Sequence, residues 1–168
     1  MDPLSDRQLR EIADRQEIHE LLARYSLAVD AKRWDLLASV FTPGAVVDFR
    51  GNGGPELPYP EIVQFLKDSM GGFAGCQHYA TNLQIAFSDD GATATCHSYV
   101  FTYLSSIVDG DEVLFADGGW YVDELTRTDA GWRMHRRTSG LVWIDGPWPE
   151  GVPRPEWWGK AGDRYWKA

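Results

Sequence analysis

The chain has 168 residues, with 16 Lys and Arg against 25 Asp and Glu, for a net charge of −9. That length suits one domain, and 43% hydrophobic residues suffice for a sizeable core. The acidic balance argues against nucleic acid or an anionic membrane as a general partner. No apolar run reaches the roughly 18 residues that a membrane span requires.

Cys76 and Cys96 are the two cysteines, too few for a disulfide framework or a thiolate metal site. The opening MDPLSDRQLR lacks the apolar core of a signal peptide. A cytoplasmic protein with free thiols is the expectation. Asp14 and Glu17 have capping-box spacing, and Ile18, Leu21, Leu22, Tyr25, Ala28 and Val29 follow at helical intervals. Upstream, Ser5 and Gln8 suggest a separate short helix or arm. Residues 30–33 read as a bend. A second helix is expected over 34–41, stopped by Pro43-Gly44.

A short strand follows at 45–49, and the Gly- and Pro-rich stretch 51–60 reads as a loop. Pro60 opens a third helix over 61–69. Beyond a glycine-rich break the pattern turns sheet-like. Strands are expected at 78–87, 93–108, 113–126 and 132–144, with turns at 88–91, 109–111 and 128–131. Helices preceding an antiparallel meander indicate the α+β class. Residues 1–145 read as the domain with its N-terminal arm. Residues 146–168, rich in Trp and Pro, read as an extension packed over a pocket or a neighbouring subunit.

Three polar residues invite a chemical reading: Tyr25, Asp30 and His78. Asp30 ends the first helix and His78 opens the first long strand. A histidine beside a carboxylate is a proton-transfer pair, in which the carboxylate fixes the tautomer and stabilises the imidazolium. Tyr25 could donate to a carbonyl or a departing oxygen. Tyr25 and Asp30 lie about 140° apart on an ideal helix, so both reach one pocket only if the helix ends or bends near Val29. Alternatively, Asp30 is a helix cap and Tyr25 a core residue.

In the last strand Arg136 shares parity with Trp132 and Met134, which makes it the candidate to enter the interior, with Arg137 facing solvent or a partner. A bulge is expected near Ser139-Gly140. Asn82, His97, Tyr99, Trp120 and Arg137 complete the candidate substrate contacts. His78, His97 and Asp30 could form a metal triad on paper, but no spacing demands one. No phosphate loop of the right frame occurs, so neither metal nor nucleotide cofactor is implied.

The run Glu17-Ile18-His19-Glu20-Leu21-Leu22-Ala23-Arg24-Tyr25, then Asp30, Trp34-Asp35, Leu37 and Phe41-Thr42-Pro43, resembles the opening of the SnoaL-like group of the NTF2-like superfamily. His78-Tyr79-Ala80-Thr81-Asn82 and Gly131-Trp132-Arg133-Met134-His135-Arg136-Arg137 carry the resemblance onward. It covers roughly residues 10 to 145. It implies a cone in which N-terminal helices pack inside a strongly curved antiparallel or mixed sheet around an apolar cavity.

The branch resembled is that of scytalone dehydratase, bile acid 7α-dehydratase and lindane dehydrochlorinase. By that resemblance Asp30 and His78 form a cofactor-independent dyad. Tyr25 matches the bile acid enzyme's tyrosine, and Arg136, or Arg137, matches an arginine of the last strand. His97 has no secure counterpart. The function implied is a lyase of dehydratase type, or an isomerase, acting on an apolar cyclic small molecule of steroid, polyketide or terpenoid type. A homo-oligomer, trimer or dimer, is also implied. The alternatives are a non-catalytic binding or accessory protein on the same cone, or an assembly role like that of a dioxygenase small subunit.

Overall fold

The computed structural model describes residues 3–146. Of the aromatic extension expected over 146–168 as a lid or inter-subunit arm, residues 147–168 lie outside the described residues.

The N-terminal segment is one long helix, α1 (Asp6–Asp30), rather than an arm followed by a helix. Ser5 is its N-cap. The Gln8 amide donates to Ser5 Oγ at 3.4 Å, and Gln8 Oε1 accepts from the Ser5 amide at 2.9 Å. This reciprocal box satisfies end donors, so the N-cap lies nine residues before Asp14. Asp14 and Glu17 serve the sheet instead. Asp14 takes a two-pronged bond from Arg127, at 2.7 and 2.6 Å, and one from Trp132 Nε1 at 3.1 Å. Glu17 Oε1 accepts the Trp132 amide at 2.7 Å.

The helix stops directly after Asp30. Lys32 adopts φ 53°, its amide bonds Val29 O at 3.1 Å, and the Arg33 amide bonds Ala28 O at 2.7 Å. These paired bonds are a Schellman ending, with lysine where glycine is usual.

A 3-10 helix follows at Trp34–Ser39, shorter than the helix expected over 34–41. Phe41 already belongs to β1 (Phe41–Gly51), which runs through Pro43-Gly44 instead of beginning after it. The register accommodates the proline. Phe41 pairs with Met134 and the next partners are Val46 and Arg136, so β1 bows out where Pro43 has no N–H to give. The stretch expected as loop also contains a short strand, β2 (Glu56–Pro58), paired with β1. Then come α2 (Glu61–Gly71), β3 (Gly75–Phe87), β4 (Thr93–Val108), β5 (Asp111–Thr128) and β6 (Gly131–Asp145).

The six strands form one curved sheet in the order β2-β1-β6-β5-β4-β3. The expected meander β3 to β6 is antiparallel throughout, and the parallel pairing of β1 with β6 makes the whole sheet mixed. α1 lays Ile18, Leu21, Leu22, Tyr25, Ala28 and Val29 on the inner face, against Val47, Ile85, Cys96, Leu125, Trp132 and Met134. α2 adds Ile62 and Leu66. Both cysteines are free, and burial pushes the Cys96 thiol up to about 12. Among the described residues no helix is long and apolar enough to cross a membrane.

Asp14 thus ties α1 to the far end of the sheet, and the Arg127 bonds, outweighing burial, hold its carboxyl below the usual range. We expect Asp14→Ala to cost about 2–3 kcal/mol in urea unfolding, because it removes charge-assisted bonds and strands their donors. A depressed folded-state carboxyl stabilises above the unfolded value. That stability is lost as pH falls below about 4, and the variant should lack this part of the acid response. An unchanged midpoint would refute the tie.

Candidate active site

Asp30, the last residue of α1, grips the start of β3 with both carboxylate oxygens. Oδ2 accepts the His78 backbone amide at 2.9 Å, and Oδ1 lies 2.5 Å from His78 Nδ1. The side chains are 20% and 11% exposed, enough access for a reactant but little water to screen the pair. A carboxylate can only accept, so Nδ1 carries the proton and Nε2 is left as the basic atom. Because α1 continues through Asp30, Tyr25 stays on the helix face that packs into the core, about 140° around from Asp30. Tyr25 is buried in the core, close enough for the Asp30 charge to act on its phenol. Burial is the larger influence and raises the phenol, against the pull of Arg137.

The two arginines exchange the places expected of them. Met134 pairs with Leu125 but Arg136 pairs with Glu124, so His135 is an extra residue in β6. Such a bulge inverts the alternation that follows. Arg136 therefore leaves the interior and joins Glu56 at 2.6 Å and Asp48 at 3.7 Å on the outer face. Arg137 turns inward and is fully buried. Its Nε and Nη2 bond Asp123, the residue directly opposite on β5, at 2.7 and 2.8 Å. Its guanidinium lies 4.1 Å from the Tyr25 ring centre and 3.9 Å from that of Tyr121. Nη1 has no hydrogen-bond partner. The register also shifts between Gly118-Gly119 and 141–143 of β6, next to the bulge expected near Ser139-Gly140.

Other expected contacts sit elsewhere. His97 and Tyr99 alternate with buried Cys96, Ser98 and Val100, which puts them on the outer face. Trp120 pairs with Tyr99 and Gly140 on that face. Gly140 is glycine because a Cβ there would run into the Trp120 indole. These three therefore leave the interior site. The paper triad of His78, His97 and Asp30 is not assembled, since the two histidines lie on opposite faces. Asn82 occupies a β3 bulge between Thr81 and Gln84 at φ 54°, a conformation asparagine tolerates better than most side chains. Among the described residues no three metal-binding side chains converge.

Three interior groups carried no notice in the sequence: Asp117, Tyr121 and Asp123. They share parity along β5 and so face the same side as Arg137. Their strand's other face reads Gly118, Trp120, Val122, which looks the more apolar, so simple alternation would have buried the wrong set. Asp117 faces Thr102, which in turn faces His78. Burial pushes its carboxyl up to about 6, against the opposing influence of His78 and a bond with Thr102. Beside α1 a cleft of about 480 Å³ is lined by His19, Ala23, Ser26, His78 and Leu83 among others.

The inward arginine is testable against its neighbour. Asp123→Ala should cost about 3–5 kcal/mol in equilibrium unfolding, because it leaves the Arg137 charge buried and alone. Arg136→Ala, in a partly exposed network, should cost less than about 1 kcal/mol. The reverse ranking would contradict the placement of the bulge.

Residues 10–138 match the SnoaL-like domain. An uncharacterized protein of Mycobacterium tuberculosis is 42% identical over 129 residues, covering 77% of this chain and 86% of its own. Among solved structures, hexachlorocyclohexane dehydrochlorinase LinA-type3 of Novosphingobium barchaimii superposes with a TM-score of 0.70 at 18% identity, covering 83% of this chain and 94% of its own. A scytalone dehydratase-like protein of Novosphingobium aromaticivorans gives 0.71 at 19% identity, covering 89% and 95%. At those identities the structural likeness speaks for the fold. With the sequence match spanning most of the domain, the chain belongs to the SnoaL-like family, on a fold shared with a dehydrochlorinase and a dehydratase-like protein.

Proposed function

We propose that the protein is a lyase that eliminates a leaving group β to an acidified C–H bond of an apolar cyclic small molecule. The observation that carries this reading is the double contact of Asp30 with His78. His78 Nε2 takes the carbon-bound proton, and the electron pair moves into the new double bond. Asp30 holds the Nδ1–H tautomer and offsets the charge that the ring acquires. Arg137, held between Tyr25 and Tyr121 with Nη1 unengaged, supplies fixed positive charge toward which an enolate-like oxygen can orient. Proton transfer of this kind uses only the side chains named. An isomerisation would share the first step and return the proton elsewhere.

Self-association is proposed through the outer sheet face. Tyr79, Tyr99, Phe101, Tyr103 and Trp143 are exposed there, with Tyr79 edge-on to Tyr103 at 6.4 Å and Phe101 at 6.1 Å from Trp143. A contiguous aromatic patch of this kind is an interaction surface more often than a solvated one. Light scattering should give a homo-oligomer that Phe101→Glu dissociates. A monomer at micromolar concentration would dismiss this proposal.

For the chemistry, cyclic hydroxy ketones are incubated with the protein and followed by the mass loss of one water. His78→Ala and Asp30→Asn should each lower turnover by about 10²–10⁴-fold with the unfolding midpoint little changed. Both variants retaining near-normal rates would rule out the dyad.

A further inference from the structure

The elimination needs somewhere for the leaving group's charge to go, and the interior holds a second proton site opposite the base. His78 on β3, Thr102 on β4 and Asp117 on β5 are successive partners in register, so their side chains rise in one row from the inner face. Two strand spacings, about 10 Å, separate the outer members of this row at the backbone. A β-hydroxy carbonyl compound lying across Thr102 needs about 6–8 Å between base nitrogen and acid oxygen. That is two contacts of about 3 Å plus the intervening C–C–O bonds.

Resting on the dyad reading, we propose that Asp117 is the general acid that protonates the departing oxygen, so that the natural leaving group is a hydroxyl rather than a halide. The bonds balance as follows. His78 Nε2 takes the proton from Cα, and the C–H pair becomes the double bond. The Cβ–O bond breaks toward oxygen, and Asp117 gives its proton to that oxygen to release water. The enzyme is left with an imidazolium and a carboxylate. Proton transfer from His78 to Asp117, by way of the Thr102 hydroxyl or solvent, restores both.

Two features support the assignment. Asp117 is half-buried, yet desolvation holds its carboxyl up to about 6, so a protonated fraction persists near neutrality and grows when an apolar ligand displaces water. The His78 charge acts in the opposite direction, so forming the imidazolium makes Asp117 a better donor at the moment it is needed. The groups around it are His78 from β3, Thr102 from β4, Tyr121 on its own strand and Ile144 opposite on β6, with Asp30 behind His78. A halide or carboxylate leaving group departs unprotonated and gains little from such an acid, whereas hydroxide is a poor leaving group without one.

The test compares 3-hydroxy and 3-acetoxy forms of one cyclic ketone. Asp117→Asn should lower kcat/KM for water loss by about 10²-fold while acetate loss stays within about 3-fold. Acetate turnover also reports that the variant is folded. In the unmodified protein the hydroxy substrate alone should show an alkaline fall in kcat/KM, and the substitution should abolish it. Equal losses on both substrates, or none on either, would overturn the acid role while leaving the dyad intact. Turnover that survives His78→Ala on both would overturn the dyad reading and this inference with it.

Discussion

The grip of Asp30 on His78 is the constraint on which the geometry of the site depends. One oxygen holds the backbone amide of the strand and the other holds the ring, so strand position and ring orientation are set together. A side chain at a helix end can do this only if the helix is fixed at both ends. The far end is tied by Asp14 and Glu17 to Arg127 and Trp132. The near end is cut one residue beyond Asp30 by the Schellman bonds around Lys32, whose Nζ also reaches Phe73 O at 2.9 Å, close to the start of β3.

The second element is a permanent charge in the core. Arg137 and Asp123 are both fully buried, and taking two ions from water is costly unless their bonds are well made. Here the carboxylate receives two bonds from directly opposite in the sheet, and two tyrosine faces cover the cation. A hydrophobic pair of the same volume would serve stability as well or better. What the retained ion pair adds is a fixed positive charge held against Tyr25 and Tyr121, the charge that the proposed function calls on.

The sequence made much of this legible. Turn chemistry and β-branched runs marked β3 to β6 to within a few residues, because hairpins are specified locally. The Asp30–His78 pair is suggested by its place at a helix end and a strand start and strengthened by the resemblance; spacing alone is silent, since the two are 48 residues apart. What could not be read was whatever depends on register. A single extra residue at His135 moves Arg136 out and Arg137 in, and nothing in Met134-His135-Arg136-Arg137 announces it. The same blindness hid Asp117, Tyr121 and Asp123, which share a strand face with two glycines' worth of ambiguity around them. Asp14 and Glu17 misled for a different reason. Their spacing satisfies a capping rule, but Ser5 and Gln8 satisfy it too, and only the tertiary bonds to Arg127 and Trp132 decide between them.

The most direct measurement is nitrogen-15 NMR of the His78 ring in the neutral protein, which needs no substrate. One tautomer should be seen, protonated at Nδ1 with Nε2 bare, and Asp30→Asn should abolish that preference. A ring protonated at Nε2, or a mixture unaffected by the substitution, would contradict the role of His78 as the base.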